Sequence, residues 1–187
     1  MTTKVLAWHF LAADKRLGYD DGRVARKGVT HRVTGEIALC KFGLHASVRA
    51  IDALQYAPGP VVARVEMSGE IIHGDDKLVA SARKYLHIID ATDLLFEFGC
   101  WAAEEAIKAR RAEGYVIPTA CDEAIAVKRR HMRGDATDED LYAAWYAAWY
   151  AAESAAWHAA RSAARSAARS AHNTELERRL CAAMEAA

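Results

Sequence analysis

Between Cys40 and Gly69 the chain permits few backbone paths. Gly43 precedes Leu44-His45-Ala46-Ser47, apolar residues follow at helical spacing in Ile51 and Leu54, and Pro58-Gly59-Pro60 cannot continue a helix. The spacing predicts a short helix over 48–57 with Ser47 as its N-cap. Val61, Ala63, Val65 and Met67 then alternate with Val62, Arg64 and Glu66, the pattern of a half-buried strand, up to a turn at Ser68-Gly69. This loop, helix and strand unit holds His45 at the loop, and the reading places a site there.

On either side the pattern is mostly β until residue 90. Val5, Ala7 and His9 share one face of a strand and Leu6, Trp8 and Phe10 the other, so both faces are covered. His9 is then either a neutral, hydrogen-bonded core imidazole or a ligand-facing one. Further strand pattern follows at 70–73, 77–81 and 83–89, while Asp20 and Asp21 read as solvated turn residues. At Asp90 the alternation gives way to 3–4 spacing. One helix carries Leu94, Phe98 and Trp101 and stops at Gly114; a second runs from a capping box of Thr119 and Asp122 to about 131. The expected fold class is α+β: a small, mainly antiparallel β core with packed helices, followed by a long alanine-rich C-terminal helix.

Composition changes at Gly134, which sets the expected domains at 1–133, globular, and 134–187, a helical tail. Thr137 and three acidic residues start a helix, and Ala-Ala-x-x repeats fill 143–170. A four-residue repeat advances about 400° on an ideal helix, so its alanine stripe winds around the rod. His172-Asn173-Thr174 is expected to split the tail into helices over 138–171 and 175–186. Trp145, Trp149 and Trp157 make its first half adhesive, whereas Arg161, Arg165 and Arg169 make its second half cationic. Those six residues are the expected interaction surface, for self-association or for a protein partner.

Lys plus Arg and Asp plus Glu balance at 25 each, so no global field draws nucleic acid or anionic lipid to these 187 residues. Any such contact must be local. The four cysteines are scattered without a Cys-x-x-Cys pair, and no apolar run approaches the ~20 residues of a membrane helix. The expectation is a cytoplasmic protein with reduced thiols and no membrane contact. No metal site is expected, because His73-x-Asp75-Asp76 offers too few ligands. Phosphate-binding glycine loops and a G-x-S-x-G elbow are missing. Cys40 reads as a small buried hydrophobe, its rival being a thiolate activated by Lys41 and His45.

Ala7-Trp8-His9-Phe10, Gly43-Leu44-His45-Ala46-Ser47, Tyr56-Ala57-Pro58-Gly59, Met67-Ser68-Gly69 and Gly74-Asp75-Asp76-Lys77-Leu78-Val79-Ala80-Ser81 resemble an uncharacterised domain family of bacteriophages and bacteria over about 4–110. If phage-encoded, the chain would act in the host-cell cytoplasm. The same middle stretch is more distantly similar to ADP-ribosyltransferases and RNA 2′-phosphotransferases. That resemblance implies a ligand held by His9, His45 and Tyr56, with NAD as the possible cofactor. It also implies a catalytic glutamate, but Ala82 stands at the matching place, leaving Glu66 and Glu70 as candidates. The expected function is a phage-type accessory protein that binds a nucleotide or nucleic-acid end with weak or no catalysis. The alternatives are an active transferase with an unplaced glutamate and an interaction protein acting through the tail.

Overall fold

The structure, a computed structural model, describes residues 4–19, 21–152 and 164–187, with no side chains for 149–168. The chain forms two compact units, 1–92 together with 171–187, and 93–170. Packing therefore does not divide the chain at 134, where composition changes.

Five antiparallel strands build the first unit: β1 (Val5–Leu11), β2 (Thr30–Arg32), β3 (Leu44–Ala46), β4 (Val61–His73) and β5 (Leu78–Asp90). β4 lies between β1 and β5, and the free edge of β5 is shared by β2 and β3. Just beyond β3, Ser47 exchanges both backbone hydrogen bonds with Trp8 of β1, at 2.7 and 3.0 Å. The sheet thereby curls round, and Ala7, Leu11, Leu44, Val65, Met67 and Tyr85 fill its inner side.

Ser47 is buried in that bridge and does not cap α1, which spans only Ala50–Leu54. Its first amides are capped from the end of the chain instead. Ala50 N–H donates to Glu177 Oε1 (3.0 Å) and Ile51 N–H to Asn173 Oδ1 (3.1 Å). Ser68-Gly69 is likewise no turn: β4 runs through it as one 13-residue strand. Gly69, at φ 83°, starts a bulge in which Glu70 N–H donates to Ser81 Oγ (3.0 Å). A second bulge, opposite Arg64 and Val65, leaves Leu86 unpaired with β4.

Gly43 has φ 122°, where a side chain is strained, and a Cβ there would overlap Val79 Cγ2 and press on Ile37. Gly43→Ala is expected to cost about 2–4 kcal/mol through strain and overpacking combined. Urea denaturation checks it; a loss under about 0.5 kcal/mol, the ordinary surface range, would contradict this reading.

The helix closing the chain, α5 (Ala164–Glu185), is continuous through 172–174. The polar triplet that looked like an interruption lies within it, because Asn173 turns its amide to α1. Leu176, Leu180 and Met184 are buried on the same stripe, and Glu177 Oε1 also accepts the Trp8 indole N–H (3.2 Å).

The second unit comprises α2 (Thr92–Ala112), α3 (Thr119–Met132) and α4 (Asp138–Ala152). Asp90 caps α2 by accepting the Thr92 N–H (2.9 Å). α3 is different: Pro118 holds the cap position and no side chain caps it, so Thr119 is already helical. Thr137 and Asp140 cap each other's backbone at the start of α4. Arg129 is clasped by Glu97 and Glu104. Among the described residues no helix is long and apolar enough to cross a membrane.

Candidate anion-binding site

His9 shares the inner side of β1 with Ala7 and Leu11. Its register partner on β4 is Ala63, and two further pairings, Val65 with Tyr85 and Met67 with Arg83, put Tyr85 and Arg83 on that inner side. His31 pairs with Arg83 across β2. The sheet therefore gathers His9, His31, Arg83 and Tyr85 from three strands without any local sequence motif.

Arg83 is 2% exposed. Its Nε and Nη2 donate to Tyr85 Oη at 3.1 and 2.8 Å, and its Nη1 donates to the carbonyl of His45 at 2.6 Å. A guanidinium has five N–H groups; two, one on each terminal nitrogen, therefore have no acceptor among the described residues. Nor does any described carboxylate form an ion pair with it. Asp21 acts on Arg83 only through space, since both its oxygens are taken by Arg23, at 2.6 and 2.7 Å. Burial lowers the Arg83 pKa, yet a guanidinium stays charged at any ordinary pH.

The histidines around it are neutral at pH 7. Dense packing pushes His9 well below the ordinary imidazole value although the residue is only partly buried overall, and the Arg83 guanidinium and His45 add to the shift. Burial, Arg23 and Arg83 lower His31, against a smaller upward pull from Asp21. Burial also lowers His45, partly offset by its bond to Gly43. Their hydrogen bonding separates them. Neither ring nitrogen of His9 has a partner among the described residues, whereas His45 uses both. Cys40 N–H donates to its Nε2 (3.0 Å), which leaves Nδ1–H to donate to the Gly43 carbonyl (3.2 Å). His31 Nδ1 lies 3.5 Å from Tyr85 Oη.

Residues 19–97 match the family model described as Domain of unknown function (DUF7666). No curated protein and no solved structure matches the chain. The DUF7666 match takes in His31, His45, Arg83 and Tyr85 but begins after β1, so His9 lies outside it, and it is shorter than the 4–110 expected.

His45 meets Arg83 by its carbonyl, and the Arg83 and His45 charges act on His9 through space. Tyr56 belongs to a surface group: its hydroxyl donates to Asp76 Oδ2 (2.6 Å), and Lys77 Nζ sits 4.2 Å from its ring centre. Cys40 is there too, exposed at φ 61°, so the small-buried-hydrophobe reading fails. Cys40 sits in a tight turn over 38–42, and its thiol group and the Tyr56 hydroxyl raise the Lys77 pKa. Glu66 lies across the sheet from His9, because its partner Leu6 has the opposite parity on β1, and it is bound to Lys4 (3.0 Å). Glu70 is exposed at the bulge, and Ala82 is fully buried.

Trp145 is 52% exposed and stacks edge-on with Tyr146. It lines an apolar groove of about 640 Å³ with Phe96, Ile125 and Tyr142, where Lys128 is the one charged lining residue. Trp157 and Arg161 lie outside the described residues, as do the side chains of Trp149 and Arg165; Arg165 and Arg169 are on α5.

The depressed histidines fix a pH dependence. The unfolded chain binds protons on His9, His31 and His45 below about pH 6.5 and the folded chain resists them, so stability is complete above that value and falls as pH drops. Urea midpoints are expected to decline between pH 7.5 and 5, and His9→Gln should flatten the slope most. Equal slopes for the two proteins would refute the assignment to His9.

Proposed function

We propose that the sheet unit binds a phosphate-bearing ligand, a nucleotide or a nucleic-acid end, at Arg83 and His9, with little or no catalysis. One observation carries this: among the described residues a buried guanidinium has two N–H groups without an acceptor and no ion-paired carboxylate, and its charge acts on a histidine whose ring nitrogens are both unpartnered there. Burying such a charge is costly unless something compensates it, and an anion would do so. The ligand class is the one implied by the resemblance to ADP-ribosyltransferases, NAD included, but its anchor moves from Tyr56 to Arg83. Weak or absent catalysis is favoured by the places of Glu66 and Glu70, away from the group that carries Arg83. A transferase needs a carboxylate beside the oxocarbenium-like centre. Calorimetric titration with AMP tests the reading: saturable binding is expected, weakened about 100-fold in Arg83→Met, since two charge-assisted hydrogen bonds are lost. Heat indistinguishable from dilution would remove it.

A second reading concerns the helical unit. Phe96, Tyr142 and Trp145, 47%, 66% and 52% exposed, line the groove, and clustered aromatics of that kind mark contact sites. Self-association or a protein partner through this face is therefore proposed alongside ligand binding. Light scattering of the protein and of Trp145→Glu tests the self-association form; the same monomer mass for both would rule it out.

A further inference from the structure

The apolar groove of the helical unit has a single charge in its wall, Lys128, and from that combination we infer that it binds a small aryl carboxylate, a flat apolar body with one negative head. A ligand on the groove floor goes beyond the contact reading of this face, in which the exposed aromatics of the rim meet a partner. Residues 95–103 of α2, 124–128 of α3 and 141–145 of α4 supply the walls, and the volume of about 640 Å³ falls within the ~300–1,000 Å³ of small-molecule sites. Such sites combine an apolar lining with a few placed polar groups; here Phe96, Tyr142 and Trp145 offer ring faces to a flat body and Lys128 offers the polar group. The floor has a feature of its own. Leu95, Gly99 and Ala103 follow at four-residue spacing on one face of α2. A glycine inside a helix is destabilising relative to alanine, and the fold gives no reason for it: Gly99 has no positive φ, and a Cβ there would meet nothing within 4 Å. Its bare backbone leaves the middle of the wall open.

Charge selects the head. Most cations of α2 and α3 are paired: Lys108 with Glu105, Arg110 with Glu113, Arg111 with Asp122, and Arg129 with both Glu97 and Glu104. Lys128 and Arg130 have no ion pair among the described residues, and of these two only Lys128 lines the groove. Its ammonium lies 4.3 Å from the Phe96 ring centre, a contact that orients the head without neutralising its charge. No carboxylate lines the groove, and burial pushes the Cys100 thiol up, so nothing in the wall competes for the ammonium. One ammonium balances one carboxylate; a dianionic phosphate would bring a second charge into the apolar cup uncompensated.

Naphthalene-2-carboxylate, 2-naphthalenemethanol and 2-naphthylmethylammonium share one body and differ in charge. In calorimetric titrations of the full chain at pH 7.5, the carboxylate is expected to bind about tenfold tighter than the alcohol, the effect of one charge-assisted hydrogen bond, and the ammonium more weakly still. Lys128→Met should bring the carboxylate down to the alcohol and leave the alcohol unchanged, while Lys128→Glu should favour the ammonium. Gly99→Leu should weaken all three by filling the floor, at an unchanged or raised melting temperature. A carboxylate preference that survives Lys128→Met would place the binding elsewhere, such as at Arg83, and overturn the inference. Equal binding of the three probes by wild type would overturn it as well, and that comparison needs no variant to fold. Binding of none would overturn it too, a dimer mass in light scattering then giving the groove to a second copy and a monomer mass giving it to a protein partner.

Discussion

A chain ending at Ser170 should lose cooperative folding of its sheet unit. Residues 171–187 pack with 1–92, and Leu176, Leu180 and Met184 are buried there. Three such side chains contribute about 2 kcal/mol each in removal from water. The cut also strands polar groups: the Trp8 indole and the amides of Ala50 and Ile51 lose their acceptors on Glu177 and Asn173. Each orphan that stays shielded adds roughly 1 kcal/mol or more. Against a typical total of about 5–15 kcal/mol, the sum is enough to leave much of the population unfolded. Urea denaturation followed by circular dichroism measures it, and a peptide of residues 171–187 added in trans should restore part of the transition. A shortened chain within about 1 kcal/mol of the full one would mean that α5 covers the sheet without stabilising it.

The misreading of this helix has a physical source. His172-Asn173-Thr174 looks like a helix break because Asn and Thr compete with the backbone for hydrogen bonds, and only the distant amide of Ile51 gives Asn173 a different use. Ser47 misled in the same manner. A serine before an apolar run is a cap by local rules, yet its backbone is taken by Trp8, 39 positions earlier. Ser68-Gly69 is ambiguous in principle, since glycine in a strand marks either a turn or a bulge, and the choice depends on the partner strand. By contrast β1, the first part of β4, α2 and α3 follow local periodicity and were legible from it.

Arg83 carries a signal in the sequence that no short motif announces. Leu78 to Ala82 contains no charged residue and reads as covered strand, so an arginine next in line, with Tyr85 on its own side, is a charge directed into a core. His9 was legible because it interrupts an apolar strand in the same fashion. His45 was legible as well, but as a residue: that its ring secures the 40–43 turn while its carbonyl takes Arg83 is fixed by tertiary structure.

Tyr85→Phe should destabilise the protein by about 3 kcal/mol, more than loss of a phenolic hydroxyl normally costs. The hydroxyl accepts from both Nε and Nη2 of Arg83, so its removal raises the idle N–H groups from two to four on a cation that stays buried. Arg83→Met acts in the opposite sense. It removes the charge, keeps much of the volume, and leaves a neutral tyrosine that can still donate toward His31 Nδ1, so its cost should stay within about 1 kcal/mol or turn into a gain. In the double variant the phenyl ring faces methionine and no buried cation remains. The double variant should therefore be more stable than Tyr85→Phe alone by about 2 kcal/mol, a coupling expected for groups in direct contact. Urea midpoints of the four proteins close the cycle at pH 7.5, above the histidine range. Phosphate supplies the converse arm: at saturating AMP, wild type and Tyr85→Phe should both gain stability and both methionine variants should not. An additive cycle would show that Arg83 is compensated by something other than Tyr85, and the case for an anion beside it would lose its physical basis.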